Sequence, residues 1–326
     1  MEILIIGAGA LGCLFAALLA SHASVHLYTT NTAHAHAIND NGLLFTEMDD
    51  GQRRLTIPAL TDPARYGRRA DLILLCTKAR STEAAAATAR QLLADNGLVL
   101  TLQNGLGNLE KIAAAVGPER AAAGITAQGA TLLAPGQIRH AGNGATVLAA
   151  GFGQSASIAA IAELFNCAGI ETCTSNDVNA LLWSKLIINV GINALTALLR
   201  VPNGLLAEVN ECRDLMAEAV AEAEAVARAL HIDLDYGHQL DRVRQVCVQT
   251  RANRSSMLQD ILRGAPTEID VINGAVVAKG REVGVVTPVN LLLTRLVKAL
   301  EATATQRIAP LAATIITKET PCTRKS

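Results

Sequence analysis

The sequence predicts a two-part α/β protein, and three observations carry that expectation. Short apolar runs alternate with helix-forming stretches through the first half, the pattern of strand–helix–strand units on a parallel sheet. Half of the residues are hydrophobic yet only 2% are aromatic. Such a core is built from Ala, Leu, Ile and Val, which suits helices packed on a buried parallel sheet. Beyond Ser175 strand signals almost vanish and long helical periods take over. The expected division is residues 1–172 for the sheet-containing domain and 173–326 for an all-α domain, long enough for a core in each.

In chain order, Glu2 to Ile6 reads as a strand and Leu11 to Ser21 as a helix. The run from Ile3 to Ala20 has the length of a signal peptide, and Ser21-His22-Ala23 vaguely resembles a cleavage site. Its leading residues Met1-Glu2 are acidic rather than basic, and three glycines interrupt it, which argues against export and for a cytoplasmic protein. Val25 to Thr29 is the second strand. Ala70 to Thr77 is another, continuously apolar as a buried parallel strand is. Ser81 to Ala94 reads as a helix, Gly97 to Leu102 as a strand and Leu109 to Val116 as a helix. Between Gly124 and Gly153, short β-prone runs broken by Pro135-Gly136 and Gly142-Asn143-Gly144 predict hairpin-type strands on the sheet edge. Ser155 to Ala168 is again helical. Leu205 to Leu230 predicts one long helix with Asn203 or Gly204 at its start. After Lys318 the tail is polar, and a frayed end is expected.

Charge narrows the function classes. The chain has 28 basic and 29 acidic side chains, so no basic excess exists to neutralise a nucleic-acid backbone. Cys13, Cys76, Cys167, Cys173, Cys212, Cys247 and Cys322 are odd in number and include no CxxC pair. Reduced thiols explain them better than a disulfide framework or a metal site, and no metal is expected.

Gly7-Ala8-Gly9-Ala10-Leu11-Gly12 matches GxGxxG, directly after an apolar strand and at the opening of a helix. The first glycine permits the tight turn, the second lets backbone approach a pyrophosphate, and the third lets helix pack on strand. Free N–H groups and the positive dipole end of the helix then face the phosphates. This context makes the first domain a Rossmann-type dinucleotide-binding domain. An acid at the end of the second strand would favour NAD. Here Tyr28-Thr29-Thr30-Asn31 carries neither an acid nor an arginine to hold a 2′-phosphate. Thr30 and Asn31 are the candidate adenosine-side residues, and the missing acid leans to NADP, as NADPH, with NAD as the alternative.

The segment from Asp177 to Arg200 predicts a helix apolar nearly all round, and therefore buried. Lys185, Asn189 and Asn193 recur every fourth residue along one face of it, and Thr196 continues the stripe. Buried amides and ammonium groups need partners. A polar seam between helices would account for the stripe. A desolvated lysine, its pKa lowered toward neutrality, would equally suit a general acid. A second polar cluster, Asn253 to Asp260, precedes Thr267-Glu268-Ile269-Asp270, and Thr267 to Lys279 reads as a further helix behind Pro266.

Together these segments resemble the ketopantoate reductase (2-dehydropantoate 2-reductase) family from residue 1 to about 300. The matching stretches are GAGALG at 7–12, CTKA at 76–79, QNGLGN at 103–108 and LWSKLIINVGINALTAL at 182–198. VPNG at 201–204, NRSSMLQD at 253–260 and TEIDVING at 267–274 follow. The resemblance implies an active site in the cleft between the two domains. There NADPH would reduce the 2-oxo acid ketopantoate to pantoate, a step toward pantothenate and coenzyme A. By motif, Lys185 would be the general acid and Glu268 its acidic companion, orienting the lysine or the substrate hydroxyl. Asn189, Asn193, Asn203 and Ser256 would hold substrate. Lys78 and Asn104 would line the nicotinamide side, Asn104 also touching substrate. Two departures stand out: Thr30 replaces the arginine of many members, and Ala265-Pro266 replace basic residues. Reduction of another 2-oxo acid is the main alternative. A nucleotide sensor with a decayed site is the other, and the presence of both Lys185 and Glu268 argues against it. The expected partner is a small molecule, with no nucleic acid and no membrane; Leu291-Leu292-Leu293 would suit either a homodimer or a core.

Overall fold

The computed structural model describes residues 1–151 and 155–306. The chain opens with β1 (Glu2–Ile6), α1 (Ala10–Leu19), β2 (Ser24–Tyr28), α2 (Thr32–Asn41), β3 (Leu43–Thr46), β4 (Gln52–Leu55), β5 (Ala59–Leu60) and β6 (Ala70–Leu75). Next come α3 (Thr82–Leu92), β7 (Leu93–Thr101), α4 (Asn108–Val116), β8 (Ala121–Thr126), β9 (Gly129–Ala134), β10 (Gln137–Gly142), β11 (Thr146–Ala150), α5 (Ser155–Cys167) and β12 (Thr172–Ser175). The remainder is helical: α6 (Val178–Leu199), α7 (Leu205–Glu208), α8 (Asn210–Ala229), α9 (Gln239–Gln249), α10 (Ser256–Leu262), α11 (Asn273–Val283) and α12 (Pro288–Ala302).

The main sheet has the order β12-β11-β8-β7-β6-β1-β2-β5. From β8 to β5 all neighbours are parallel, and β11 joins β8 antiparallel. Side chains alternate across a strand, so a sheet covered on both faces feeds two cores. Ile3, Ile5, Leu72 and Leu74 point into one, with Leu14 and Phe15 of α1 and Phe165 of α5. Leu4, Ile6, Ile73 and Leu75 point into the other, with Ala86 of α3 and Ile112 of α4. The strand order reverses at β1, whose neighbours are β2 and β6, and ligands bind such sheets in the crevice beyond the strand ends at that reversal. The signal-like run near the N-terminus is β1 and α1, buried in this core.

A third core surrounds α6. Ile187, Val190 and Leu195 meet Met216 and Val220 of α8, Val243 of α9, Met257 of α10, and Leu293 and Val297 of α12. By length and composition α6 is the one helix among the described residues that matches a membrane span, but 72% of its apolar window is buried against the rest of the protein. It is a core helix. Asp177 caps it by accepting from Ala180 N at 2.9 Å, and Arg200, at φ 56°, ends it. Leu293 is core while its neighbour Leu292 stays exposed.

The fold departs from the sequence-based expectations in four places. The strands between Gly124 and Gly153 do not all lie on the main sheet edge: β9 and β10 join β3 and β4 in a separate sheet ordered β4-β3-β10-β9. The helix from Leu205 breaks at Val209, which is extended (φ −90°, ψ 128°), and Gly204 opens it without a side-chain cap because the Asn203 amide donates to Thr250 Oγ1 instead. Thr267 to Ile272 is not regular helix. Its backbone is committed elsewhere, with the Val271 carbonyl accepting from Leu106 N at 3.0 Å, so α11 starts only at Asn273. α2 to β5 are additional elements, in a polar stretch without strong periodicity. The six described cysteines are all free thiols. Cys322, the tail after Lys318 and the Gly153 end of the β-prone segment lie outside the described residues.

Candidate active site

The glycine fingerprint occupies the turn from β1 into α1. Gly7 holds φ 106°, and a Cβ there would press on the Cys76–Thr77 peptide at the end of β6. A Cβ on Gly12 would collide with the Gly7 carbonyl oxygen, so this position keeps the helix against the turn. Gly9 differs. A Cβ there would meet nothing within 4 Å, and Gly9 opens α1 with no side-chain cap. Glycine at Gly9 is therefore not demanded by protein packing. The open space before an uncapped helix N-terminus, at the strand-order reversal, fits a dinucleotide pyrophosphate. Ala8 is buried beneath the turn, while Ala10 and Leu11 are partly exposed. Thr30 and Asn31 are exposed beyond β2, and Asn31 Oδ1 caps α2 by accepting from His34 N at 3.0 Å.

Past the end of β8, α6 carries the polar stripe. Lys185 is partly buried and its Nζ donates to the Thr126 carbonyl at 3.4 Å, at the C-terminal end of β8. No carboxylate pairs with it among the described residues. Burial without a counter-charge pushes its pKa below the ordinary lysine range. Asn189 and Asn193, only 8% and 5% exposed, each keep a buried Nδ2 with no partner. Buried amide donors are normally satisfied, so two unsatisfied ones on the face of a desolvated ammonium describe a surface prepared for an acceptor-rich ligand. Thr196 closes the stripe by donating to Ser255 Oγ at 2.7 Å. Ser255 also caps α10, accepting from Leu258 N, whereas Ser256 is exposed. Asn203 lies past the end of α6 with its Oδ1 buried and unpaired. Neither Asn203 nor Ser256 is hydrogen-bonded to Lys185.

Glu268 is buried, and it pairs with Lys78 rather than Lys185. Its carboxylate lies 3.6 Å from Lys78 Nζ and accepts from Ala79 N at 3.1 Å and Asn104 Nδ2 at 3.3 Å. Three donors from the ends of β6 and β7 thus occupy it, which is why it is not free to reach α6. Lys78 has a closer partner, Asp260 of α10, at 2.7 Å. Asp260 is a residue that sequence reasoning left without a role. Its signal is an acid on the buried face of the short apolar helix SMLQDIL. Beneath the cluster, Gln103 donates to Thr77 and Thr82, and Thr82 donates to Asn108, fixing the strand ends. Lys78, Asn104, Asp260 and Glu268 therefore form one connected group, and Lys185, Asn189 and Asn193 another. Both lie beyond the C-terminal ends of the parallel strands.

Comparison with known proteins identifies the family. The family described as ketopantoate reductase PanE/ApbA matches residues 3–151, and its C-terminal counterpart matches residues 177–301. The 2-dehydropantoate 2-reductase of Pyrococcus abyssi is 38% identical, covering 93% of this chain and 98% of its own. That of Halobacterium salinarum is 37% identical, covering 91% and 98%. Among solved structures, a PanE/ApbA family ketopantoate reductase from Ralstonia eutropha superposes with TM-score 0.86 at 32% identity, covering 94% of this chain and all of its own. A D-mandelate dehydrogenase with NADH and anilino(oxo)acetate superposes with TM-score 0.88 at 30% identity, with the same coverage.

Proposed function

The chain belongs to the ketopantoate reductase family, and from that membership we propose that it reduces 2-dehydropantoate to (R)-pantoate with NADPH. The dinucleotide would be held by residues Gly7 to Gly12, Thr30 and Asn31, with Lys78 and Asn104 on its nicotinamide side. Once bound, it supplies a hydride to the keto carbon. The chain supplies the rest. Lys185 Nζ protonates the carbonyl oxygen as negative charge develops there, and its lowered pKa makes it a willing donor. Asn189 and Asn193 present their free amide donors to the substrate carboxylate and hydroxyl, assisted by Asn104, Asn203 and Ser256. Glu268 and Asp260 fix Lys78, and Glu268 accepts from the substrate hydroxyl. On this reading residues 1–172 bind the dinucleotide and the chain from 173 carries the substrate site, in a cytoplasmic pathway enzyme.

The observation that carries the proposal is the desolvated, carboxylate-free Lys185 ammonium beside two unsatisfied buried amides. The D-mandelate dehydrogenase likeness keeps a second reading open, a related 2-oxo acid as substrate. Steady-state kinetics with NADPH and NADH against ketopantoate, branched and aromatic 2-oxo acids separates them. Ketopantoate is expected to give the highest kcat/KM, and a clear preference for another acid would replace this reading with the second.

A further inference from the structure

The strand that ends at Thr30-Asn31 offers the adenosine end of a dinucleotide no cation, but the fold brings one from the helical part of the chain. Arg263, at the C-terminus of α10, lines a cavity of about 210 Å³ together with Asn31 and His34, and the end of β9 with Pro135 (Leu132 to Pro135) completes the lining. The lining contains no carboxylate, and Arg263 is its single guanidinium. His34 is turned inward, its Nδ1 accepting from Gly136 N at 3.0 Å and its Nε2 3.4 Å from Cys13 Sγ. Arg263 is exposed, and its guanidinium makes one long hydrogen bond, to Gln259 Oε1 at 3.5 Å. Most of its donor fork is free among the described residues.

The ribose of a dinucleotide lies just beyond the second strand of this kind of sheet, and Asn31 stands there. A planar guanidinium engages a phosphate through two parallel N–H···O bonds, and a cavity without acids does not oppose a dianion. We propose that Arg263 grips the adenosine 2′-phosphate and so selects NADPH over NADH, replacing in space the arginine that the end of β2 lacks. The inference rests on the dinucleotide-binding reading above and is independent of which 2-oxo acid is reduced. Thr30 and Asn31 contribute neutral donors from the strand side. Because Asn31 follows β2 and Arg263 follows α10, the same phosphate also ties the sheet part of the chain to its helical part.

The test uses two nucleotides that contain neither nicotinamide nor oxo acid: adenosine 2′,5′-bisphosphate, which carries the selecting phosphate, and adenosine 5′-monophosphate, which does not. Titration calorimetry on the full chain is expected to show tighter binding of the bisphosphate. In Arg263→Ala the ratio of the two Kd values should collapse by roughly 10- to 100-fold, the range for losing charge-assisted hydrogen bonds to an ionised group. Arg263→Lys should recover only part of the preference, since it keeps the charge without the fork. A ratio equal in wild type and Arg263→Ala overturns the proposal. So does an equal loss for both nucleotides, which would mean that Arg263 stacks on adenine instead. Failure of both nucleotides to bind the wild-type chain overturns the dinucleotide reading, and this inference with it.

Discussion

In the proposed mechanism the Lys185 ammonium gives up folding stability for reactivity, because it is held out of water on a core helix. Its charged form is disfavoured by burial, and among the described residues no carboxylate pairs with it. Between its folded pKa and the ordinary lysine value of about 10.4, the unfolded chain binds more protons than the folded one. Stability therefore rises with pH across that window, and the cost is fully present only below the folded pKa. Replacing it by methionine, similar in length and uncharged, should raise stability at pH 7 by on the order of 1 kcal/mol in a urea titration. The same variant should lower kcat by roughly 100- to 10,000-fold, as expected for loss of a general acid. In the wild type, kcat should fall as pH rises through a value below the ordinary lysine range. A stability loss with kcat preserved would show a structural lysine. The stripe of Lys185, Asn189 and Asn193 was legible in the sequence because helical spacing alone aligns it. The pairing of Glu268 with Lys78, and the placement of Asp260 beside Lys78 and of Arg263 in a cavity with Asn31, were not, because they join segments far apart in sequence.

Among elements, the turn between β1 and α1 divides its three glycines into two that packing demands and one, Gly9, that the proposed dinucleotide site would need. Alanine at Gly12 drives its Cβ into the Gly7 carbonyl, whereas alanine at Gly9 enters open space with an ordinary extended backbone (φ −80°, ψ −167°). Gly12→Ala should therefore lower the melting temperature markedly. Gly9→Ala should cost less than about 1 kcal/mol of stability, yet weaken dinucleotide binding in calorimetry, because the methyl occupies the approach of the pyrophosphate. Equal melting losses in both variants would contradict this division. The strands and helices of the parallel sheet were readable because burial on both faces makes them continuously apolar. β4, with the sequence QRRL and mostly exposed, gave no such signal. The start of α11 was misjudged because a distant backbone donor, Leu106 N, claims the carbonyl that a regular helix would have used.

At the scale of the whole molecule, Glu268 ties the helical part to the sheet. Removing it in Glu268→Ala strands the Ala79 N–H and the Asn104 amide and leaves Lys78 with Asp260 alone. Thermal unfolding should report a loss of roughly 1–3 kcal/mol per stranded donor at most, with Glu268→Gln milder because its side-chain oxygen still accepts. An unchanged melting temperature in Glu268→Ala would mean that the contact does not couple the two parts. The two-part plan was legible from where strand signals stop. The smaller sheet was not, because β10 pairs in parallel with β3 across the intervening strands and helices of the main sheet. That pairing also constrains biogenesis. During synthesis the glycine turn and most of the parallel sheet emerge while β3 still has one open edge, since its partner is encoded far downstream. Until that partner leaves the ribosome, Leu43 to Thr46 remains available to strands of neighbouring nascent chains.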